Sequence, residues 1–340
     1  MRRGIALFSL GLSSGVTVLA TAASAGTLDD VKARGTLNCI VNQGLAGFGA
    51  PNDKSEWAGL DVDLCRAVAA AVLGDAGKVN YIPSTSKDRF TKLQTGEGDM
   101  LARNSTWTLS RDSDLGLDFV GVNYYDGQGF MVRADSGITS VRQLDGASVC
   151  VVAGSTIELN LADYIRVNGM TIRTVVFEKP DEGRRMYDEG QCDAYTSDSS
   201  NLASERSSLP DPAAHVILPE IISKEPLGPA VRQGDSEWAD VVRWSLYAMI
   251  AAEEYGVTSQ NVGQMLASEH PEVRRLLGVE GDMGAKLGLP NDWAVRILTQ
   301  VGNYGESFAR NVGADTPLGL ERGLNAQWNE GGLLYAPPVR

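Results

Sequence analysis

Apolar and polar residues follow two alternating patterns along the chain, one with the period of a strand and one with that of a helix. Strands are predicted at LNCIVNQ (37–43), VNYIPS (79–84) and DMLARN (99–104). Helices are predicted between them at LDVDLCRAVAAAVLG (60–74) and DRFTKLQTGEG (88–98), each with a glycine at or near its end. This strand–helix–strand–helix–strand order is typical of a right-handed α/β unit with a parallel sheet.

The same order of patterns returns in the second half of the chain. TSVRQLDGASVCVVAGSTIELNLADYIRVNG (139–169) predicts a helix, a strand, a polar turn and a helix. TIRTVVF (171–177) predicts a strand, DEGRRMYDEGQ (181–191) a helix, and CDAYTSDSS (192–200) a strand that opens into polar residues. Two copies of one organisation predict two similar lobes. After a strand-like stretch with prolines (216–232), the remaining chain is predicted to be mostly helical.

The first residues predict a processing segment and not part of the fold. Met1–Arg3 is a short basic start, residues 4–20 are mostly apolar and small, and Ala23–Ala25 is an A-x-A cleavage site. A membrane anchor is the competing interpretation, but Gly and Ser interrupt the apolar run and no basic stop-transfer cluster follows. We therefore expect a signal peptide over residues 1–25 and a mature, exported chain that begins near Gly26 in the periplasm.

The net charge and the number of cysteines restrict the possible partners, cofactors and cellular compartment. Residues 1–25 hold two arginines and no acids, so their removal lowers the net charge from −13 to −15, which argues against nucleic acid or anionic lipid as a partner. An even number of cysteines in an exported chain favours disulfides, with three possible pairings. No CxxC spacing exists and both histidines are far from any cysteine, so no metal site or other cofactor is expected. The cysteines are Cys39, Cys65, Cys150 and Cys192.

Polar residues concentrate where the predicted strands end. NQGLAGFG (42–49) and RNSTWT (103–108) follow the first and third strands of the first copy. GSTIE (154–158) and TSDSS (196–200) hold the same places in the second copy. Ligands of open parallel sheets bind at the carboxyl ends of strands. We expect these four strand ends to converge on one cleft between the lobes.

The chemistry of these ends suits an α-amino acid. The guanidinium of Arg111 matches a carboxylate bidentately, and Thr106, Ser155 and Thr156 offer hydroxyls and helix-start N–H groups to the same anion. Asp198 offers the opposite charge to an ammonium.

The residues alone leave other roles open. Ser155 or Thr156 would serve as a helix cap, and the aspartate would cap whatever follows its strand. Arg111 would form a surface pair with Asp112 or Asp114.

Five segments carry a family resemblance: 57–72 (WAGLDVDLCRAVAAAV), 96–112 (GEGDMLARNSTWTLSRD), 149–160 (VCVVAGSTIELN), 192–198 (CDAYTSD) and 223–244 (SKEPLGPAVRQGDSEWADVVRW). They resemble the polar amino-acid family of periplasmic solute-binding proteins, and within it the group that serves ABC importers of L-amino acids in general. The resemblance covers essentially the whole mature chain. RNSTWT and KEPLGPAVR belong to the narrower group, whereas GLDVDL is shared widely.

The resemblance implies a role for each matching residue. It assigns the ligand carboxylate to Arg111, with the hydroxyls of Thr106 and Thr156, and the ammonium to Asp198. The strand-end carbonyl of Asn104 would contact the α-amino group.

Other positions depart from the family pattern or stay unassigned. Many relatives carry an aromatic lid after the first strand, where this chain offers only Leu45 or Phe48. Ile157 replaces a residue that is polar in some narrow-specificity relatives, which favours broad specificity. Trp107 would floor the pocket or pack under its loop. Arg103 has no motif position that places it on the carboxylate.

The implied fold is the type II periplasmic binding protein fold, an α/β architecture of two lobes joined by two crossing strands that act as a hinge. Each lobe would hold a parallel-dominated sheet flanked by helices. Lobe 1 would comprise residues 26–130 and 230–340, including a helical C-terminal extension, and lobe 2 residues 131–229. The resemblance also implies disulfides within lobes, Cys39 with Cys65 and Cys150 with Cys192.

The implied function is capture of L-amino acids, with broad specificity, and their delivery to the membrane permease of an ABC importer. A monomer is expected. One alternative is a lyase or dehydratase of amino-acid-derived substrates on the same scaffold. It would require an acid or base besides Asp198, and the nearby Glu158 is better explained as a first-turn helix carboxylate. The other alternative is a component that presents ligand to a sensor.

Overall fold

The computed structural model describes residues 26–52 and 54–340, so the signal peptide predicted over residues 1–25 lies outside the described residues. The strands are β1 Leu37–Asn42, β2 Ala50–Pro51, β3 Trp57–Ala58, β4 Val79–Ser84, β5 Met100–Leu101, β6 Leu117–Phe119, β7 Tyr124–Asp126, β8 Gln128–Arg133, β9 Ser148–Val152, β10 Arg173–Phe177, β11 Ala194–Asp198, β12 His215–Ile217, β13 Glu225–Leu227 and β14 Ala230–Arg232. The helices are α1 Thr27–Arg34, α2 Leu60–Leu73, α3 Arg89–Gln94, α4 Leu109–Ser113, α5 Thr156–Asn168, α6 Pro180–Asp188, α7 Ser199–Ser207, α8 Ser236–Glu254, α9 Val262–Met265, α10 Pro271–Leu276, α11 Met283–Lys286, α12 Trp293–Gln300 and α13 Tyr304–Asn311.

Two five-stranded sheets share one topology, which confirms the predicted pair of α/β lobes. Their strand orders are β4-β1-β5-β14-β6 in lobe 1 and β10-β9-β11-β8-β12 in lobe 2. In each sheet the first three strands are parallel, and the fourth pairs antiparallel with both of its neighbours. The fourth strand belongs to the chain that arrives from or departs to the other lobe, so it runs against the local α/β unit. The sheets are therefore mixed, with a parallel part of three strands.

Two strands carry the chain between the lobes, as the resemblance implied. β7 leads out of lobe 1 and β13 leads back, and the two pair antiparallel with Glu225 opposite Asp126 and Leu227 opposite Tyr124. β8 follows β7 directly and already belongs to the sheet of lobe 2. The expected boundary at residue 131 therefore falls inside β8.

The helices after β14 pack on lobe 1. Buried residues of α8, α12 and α13 join those of α2 in one apolar core. Asp63 on α2 fixes the last of these helices, because its Oδ2 accepts hydrogen bonds from Ser307 (2.7 Å), Arg310 (2.6 Å) and Asn311 (2.6 Å). The extension thus encloses the outer face of α2.

Both implied disulfides are present. Cys39 of β1 is bonded to Cys65 of α2, with their Cα atoms 6.1 Å apart. Cys150 of β9 is bonded to Cys192, just before the neighbouring β11, with a Cα–Cα distance of 5.7 Å. Among the described residues, no helix combines the length and the apolar character needed to cross a bilayer.

Candidate functional site

A cavity lies between the two lobes, where the strand ends of one sheet face those of the other. All four predicted polar strand ends contribute to its lining, because Asn42, Thr106, Thr156 and Asp198 each come from a different one. The full lining is Asn42, Leu45, Ser86, Arg89, Arg103, Asn104, Thr106, Val152, Ser155, Thr156, Ile157, Phe177, Glu178, Pro180, Tyr195, Ser197, Asp198, Asn201 and Glu205.

The turn after β5 is shaped by Asn104. This residue has a φ of +20°, which asparagine tolerates better than most residues, so β5 ends at Leu101 and the chain turns toward the cavity. Its N–H donates to Oδ2 of Asp61 (2.7 Å), and its Oδ1 accepts from Asn42 (3.0 Å). Burial raises the pKa of Asp61 to about 6, although hydrogen bonds from Asn104 and Asn123 oppose the shift.

Residues 105–107, which follow this turn, are hydrogen-bonded to the crossing strand β13 and the residue after it. The N–H of Trp107 donates to the carbonyl of Pro226 (2.8 Å), and the N–H of Gly228 donates to the carbonyl of Ser105 (3.0 Å). Thr106 is therefore held against the strand that connects the lobes.

Glu225 of β13 is the most heavily hydrogen-bonded carboxylate beside the cavity. Its Oε2 accepts from Thr106 of lobe 1 (2.6 Å) and from Thr156 of lobe 2 (2.9 Å). Its Oε1 accepts from Asn160 (2.6 Å) and Ser223 (2.7 Å), and the residue is 1% exposed. The two threonine hydroxyls that the resemblance assigned to a ligand carboxylate are thus bound by a carboxylate of the chain itself.

Asp198 lies at the end of β11 with one free carboxylate oxygen. Its Oδ2 accepts from Asn201 (3.3 Å), whereas its Oδ1 is buried and has no hydrogen-bond partner among the described residues. Burial raises the pKa of Asp198, and the charges of Asp126 and Glu225 raise it further, whereas the charge of Arg89 and the side chain of Asn104 oppose the shift. A cationic donor at this oxygen would satisfy it and stabilise its charge.

Two arginines that received no role in the sequence analysis line the cavity. Arg89 and Arg103 are 3% and 4% exposed. Arg103 donates to the carbonyl of Ser84 (3.1 Å) and to Ser86 (3.3 Å), whereas Nε of Arg89 has no partner in the described part of the chain. Burial lowers the pKa of Arg103 to about 10. Burial, together with the charges of Arg103 and Arg111, holds the pKa of Arg89 well below its usual range.

The signal that would have found Arg89 is the end of β4, whereas Arg103 lies in the predicted strand end RNSTWT (103–108). Residues 84–89 (STSKDR) follow the middle predicted strand of lobe 1, and β4 pairs in register with β1 so that Ser84 lies opposite Asn42. The predicted cleft drew only on the first and third strands of each copy, so this polar end was left out.

Arg111 is buried but does not belong to the cavity lining. It lies on α4, where Nη1 donates to the carbonyl of Thr106 (2.9 Å) and the guanidinium lies 5.1 Å from the ring centre of Phe90. Burial lowers the pKa of Arg111, and the charges of Glu225 and Asp198 oppose that shift.

The two predicted aromatic contacts also lie outside the lining. Trp107 is 39% exposed and stacks on Phe119 at 5.9 Å, which corresponds to the packing role weighed for it. Phe48 is 1% exposed and meets the edge of Tyr124 in the lobe 1 core. Leu45, the other lid candidate, does line the cavity.

Ser155 caps the start of α5, which is the alternative role that the sequence left open for it. Ser155 accepts from the N–H of Glu158 (3.2 Å), and Oε2 of Glu158 accepts from the N–H of Gly154 (3.0 Å). Glu158 is thus engaged with the helix start and is not part of the lining, whereas Ser155 and Thr156 are.

Residues 37–262 match the model of the bacterial extracellular solute-binding proteins, family 3. The glutamate/glutamine/aspartate/asparagine-binding protein BztA of Rhodobacter capsulatus is 59% identical over 324 residues, which are 95% of this chain and 96% of that protein. The general L-amino acid-binding periplasmic protein AapJ of Rhizobium johnstonii is 55% identical over 336 residues, 97% of this chain and 98% of that protein.

A solved structure shares the whole architecture. The ABC transporter/periplasmic binding protein from Brucella ovis with glutathione bound superposes with a TM-score of 0.91 at 59% identity, over 93% of this chain and 100% of that one.

Proposed function

The chain belongs to family 3 of the bacterial extracellular solute-binding proteins, and from this premise we propose that it captures L-amino acids between its lobes and delivers them to an ABC importer permease. The proposal places the mature protein in the periplasm as a monomer. Opening and closing about β7 and β13 would admit and enclose the ligand. Because the closed form would bind ligand better than the open one, loading would shift the population that the permease meets.

The observation that carries the proposal is that two buried groups of opposite charge face the cavity. Among residues 26–52 and 54–340, Oδ1 of Asp198 and Nε of Arg89 are buried and have no hydrogen-bond partner. Buried charged groups are normally paired, so each of these favours a ligand group of the opposite sign. An α-amino acid carries both groups on one carbon.

The proposed roles follow from the contacts. Asp198 would bind the α-ammonium, and Asn104 and Ser155 would form polar walls on opposite lobes. Thr106 and Thr156 would line the cavity beside Glu225. Arg111 would act on the site through the carbonyl of Thr106.

The relatives support a range of ligands and not a single one. BztA is named for four amino acids and AapJ for L-amino acids in general, and the Brucella ovis structure holds glutathione. Glutathione is a γ-glutamyl tripeptide with a free α-ammonium, the group that Asp198 would bind. We therefore propose broad specificity for amino acids and for small ligands that present the same α-amino and carboxylate groups.

A thermal-shift screen of the mature protein tests this function. The protein would be measured with each of the twenty amino acids, with glutathione, and with sugars and polyamines as other transport ligands. We expect stabilisation by several amino acids and none by sugars or polyamines, since a ligand at 100 times its Kd adds about 2.7 kcal/mol to the native state. Stabilisation only by sugars or polyamines would contradict the proposal.

A further inference from the structure

The crossing strand β7 is held by two side chains of the C-terminal extension. β7 pairs with β13 in a two-stranded sheet, which leaves its other edge open to a partner. Asn325 fills that edge with one amide, because its Oδ1 accepts from the N–H of Tyr125 (2.7 Å) and its Nδ2 donates to the carbonyl of Tyr125 (3.0 Å). The hydroxyl of Tyr304 donates to the carbonyl of Asn123 (2.7 Å), just before β7. Both holding side chains are buried.

Asn325 is itself fixed to lobe 1. Its carbonyl accepts from Nε of Arg322 (2.9 Å), and Arg322 forms a two-point ion pair with Glu253 of α8 (2.6 and 3.1 Å). The guanidinium of Arg322 also lies 4.9 Å from the ring centre of Phe308 on α13. Tyr125 is therefore connected, through Asn325 and Arg322, to two helices of the lobe 1 core.

The next residues of the crossing strand are attached to lobe 2. The carboxylate of Asp126 accepts from the N–H of Ser200 (3.2 Å), and the carbonyl of Gly127 accepts from the N–H of Ser199 (2.8 Å), both at the start of α7. The outgoing strand therefore changes its attachment from lobe 1 to lobe 2 directly after Tyr125. Hinges are a few residues that absorb the change in backbone angles between two rigid bodies, so the bend falls at Asp126.

The return strand changes its attachment at the same level. The N–H of Ile222 donates to the carbonyl of Gln128 in lobe 2 (2.9 Å), whereas the carbonyl of Pro226 accepts from an N–H of lobe 1 (2.8 Å). Glu225 lies between these points and stands opposite Asp126 in the pairing of the two crossing strands. The two bend points therefore face each other across the hinge.

We propose that Asn325 and Tyr304 are positioning residues for ligand capture, which clamp β7 to lobe 1 and so confine the bending of the outgoing strand to Asp126. This inference rests on the proposed function, since it assumes that the lobes open and close around a ligand. The family model matches residues 37–262, so both clamp residues lie outside the matched part. Without the clamp, Tyr125 would join the bend and the unliganded protein would open further.

Asn325→Leu tests the clamp, because it removes both hydrogen bonds and nearly keeps the size of the side chain. The closed form of the variant leaves the N–H and carbonyl of Tyr125 unpaired, whereas a wider opening lets water reach them. We expect small-angle scattering to give a larger radius of gyration than wild type without ligand, and the same radius with saturating L-glutamate. Calorimetry should show L-glutamate and L-glutamine bound about tenfold more weakly, by the same factor.

Tyr304→Phe acts at the second contact and keeps the ring in place. It should change the radius and both affinities in the same direction, and it serves as the second variant if Asn325→Leu does not fold, as judged by circular dichroism.

The matched control is Gln327→Leu, which removes another buried amide of the same extension. Gln327 donates to the carbonyl of Ile250 (3.0 Å) and to Glu253 (3.0 Å), both on α8, and among the described residues its side chain has no hydrogen bond to a crossing strand. The control should lower the thermal midpoint, as the clamp variants should, but leave the radius of gyration and both affinities unchanged. Loss of stability is thereby separated from the position of the hinge.

The possible failures are distinguishable. An unchanged radius without ligand and unchanged affinities in both folded clamp variants would overturn the clamp and leave the proposed function intact. Equal changes in the control would also overturn the clamp, because the effect would then come from weaker packing of the extension. Binding of no amino acid by the wild type would overturn the proposed function and the clamp together.

Discussion

The hydroxyls of Thr106 and Thr156 lie 3.1 Å apart although they belong to different lobes. Both donate to Oε2 of Glu225, which is carried by the crossing strand β13. The contact between the lobes is therefore made by a carboxylate fixed to the hinge and not only by surfaces that meet on closure. Glu225 therefore holds a residue of each lobe directly.

Replacing Glu225 by glutamine tests this role. The amide keeps the shape but presents one NH₂ group to surrounding donors, so at least one acceptor is lost inside a buried cluster. We expect all ligands to bind about tenfold more weakly and by a similar factor, since unmaking a buried hydrogen bond costs about 1–3 kcal/mol. Calorimetry measures the affinities, and small-angle scattering should show a more open average shape.

The exposed pair Lys87–Glu178 supplies the matched control, because it also joins the two lobes. Its side chains are 51% and 57% accessible, and exposed ion pairs contribute about 0–1 kcal/mol. Lys87→Gln should therefore change affinity only slightly, because Lys87 is not part of the cavity lining, whereas Glu178 is. Equal effects of the two substitutions would show that Glu225 contributes no more than an ordinary interlobe contact.

Asp198→Asn should remove the charge that holds the ammonium. Glutamate should bind at least about 100-fold more weakly, since truncating one partner of a buried charged pair costs about 2–5 kcal/mol. Glutarate, which is glutamate without its amino group, is the control ligand and should lose little or nothing. Calorimetry with both ligands decides the point, and equal losses would mean that the ammonium lies elsewhere.

The raised pKa of Asp198 gives binding a pH dependence of definite sign. A raised pKa means that the unliganded carboxyl keeps its proton to a higher pH than usual, whereas an ammonium stabilises the ionised form. Binding should therefore release a proton, and affinity for glutamate should rise with pH until Asp198 is ionised without ligand. The slope should not exceed about tenfold per pH unit for one proton.

Calorimetry in two buffers with different ionisation enthalpies measures that proton release. Asp198→Asn is the control, because it removes the titrating group, and its residual binding should release no proton through this route. Affinity that falls as the pH rises from 5 to 8 would contradict the assignment.

The disulfide of lobe 2 should contribute to stability through the unfolded chain. Cys150 and Cys192 are separated by 42 residues, and closing a loop of that length stabilises the native state by about 3–4 kcal/mol. We expect Cys150→Ala with Cys192→Ala to lower the urea midpoint of lobe 2, and reduction of the wild type to approach the same value. An unchanged midpoint would show that the loop is already constrained when unfolded.

The fold could be predicted because its information is local. β1 and β9 are short apolar runs because nearly all of their residues are buried, and the helical spacing in α2 and α5 follows from their buried faces. The order of these elements restricts the topology. The mixture of parallel and antiparallel strands in each sheet could not be predicted from local sequence. It depends on β8 and β14, which each enter a sheet built from another part of the chain.

The candidate site was predictable in part for the same reason. Asn104, Thr106, Thr156 and Asp198 stand at strand ends, and strand ends meet by topology. Glu225 is 119 residues from Thr106, and no local pattern shows that they touch. The position of Arg111 could not be predicted from local sequence either. The turn at Asn104 and the pairing of residues 105–107 with β13 decide which side chains face the cavity.

Arg111→Ala distinguishes a direct ligand contact from a supporting one. The guanidinium donates to the carbonyl of Thr106, so its removal should make the backbone at Thr106 more mobile. The affinities for glutamate and glutamine should fall by the same factor, about three- to tenfold for one hydrogen bond. A direct carboxylate contact would instead cost more than 100-fold, as expected for a buried charged pair. Calorimetry on Arg111→Ala with both ligands separates the two roles by the size of the loss. A loss of more than about 100-fold would assign the ligand carboxylate to Arg111, as the sequence predicted.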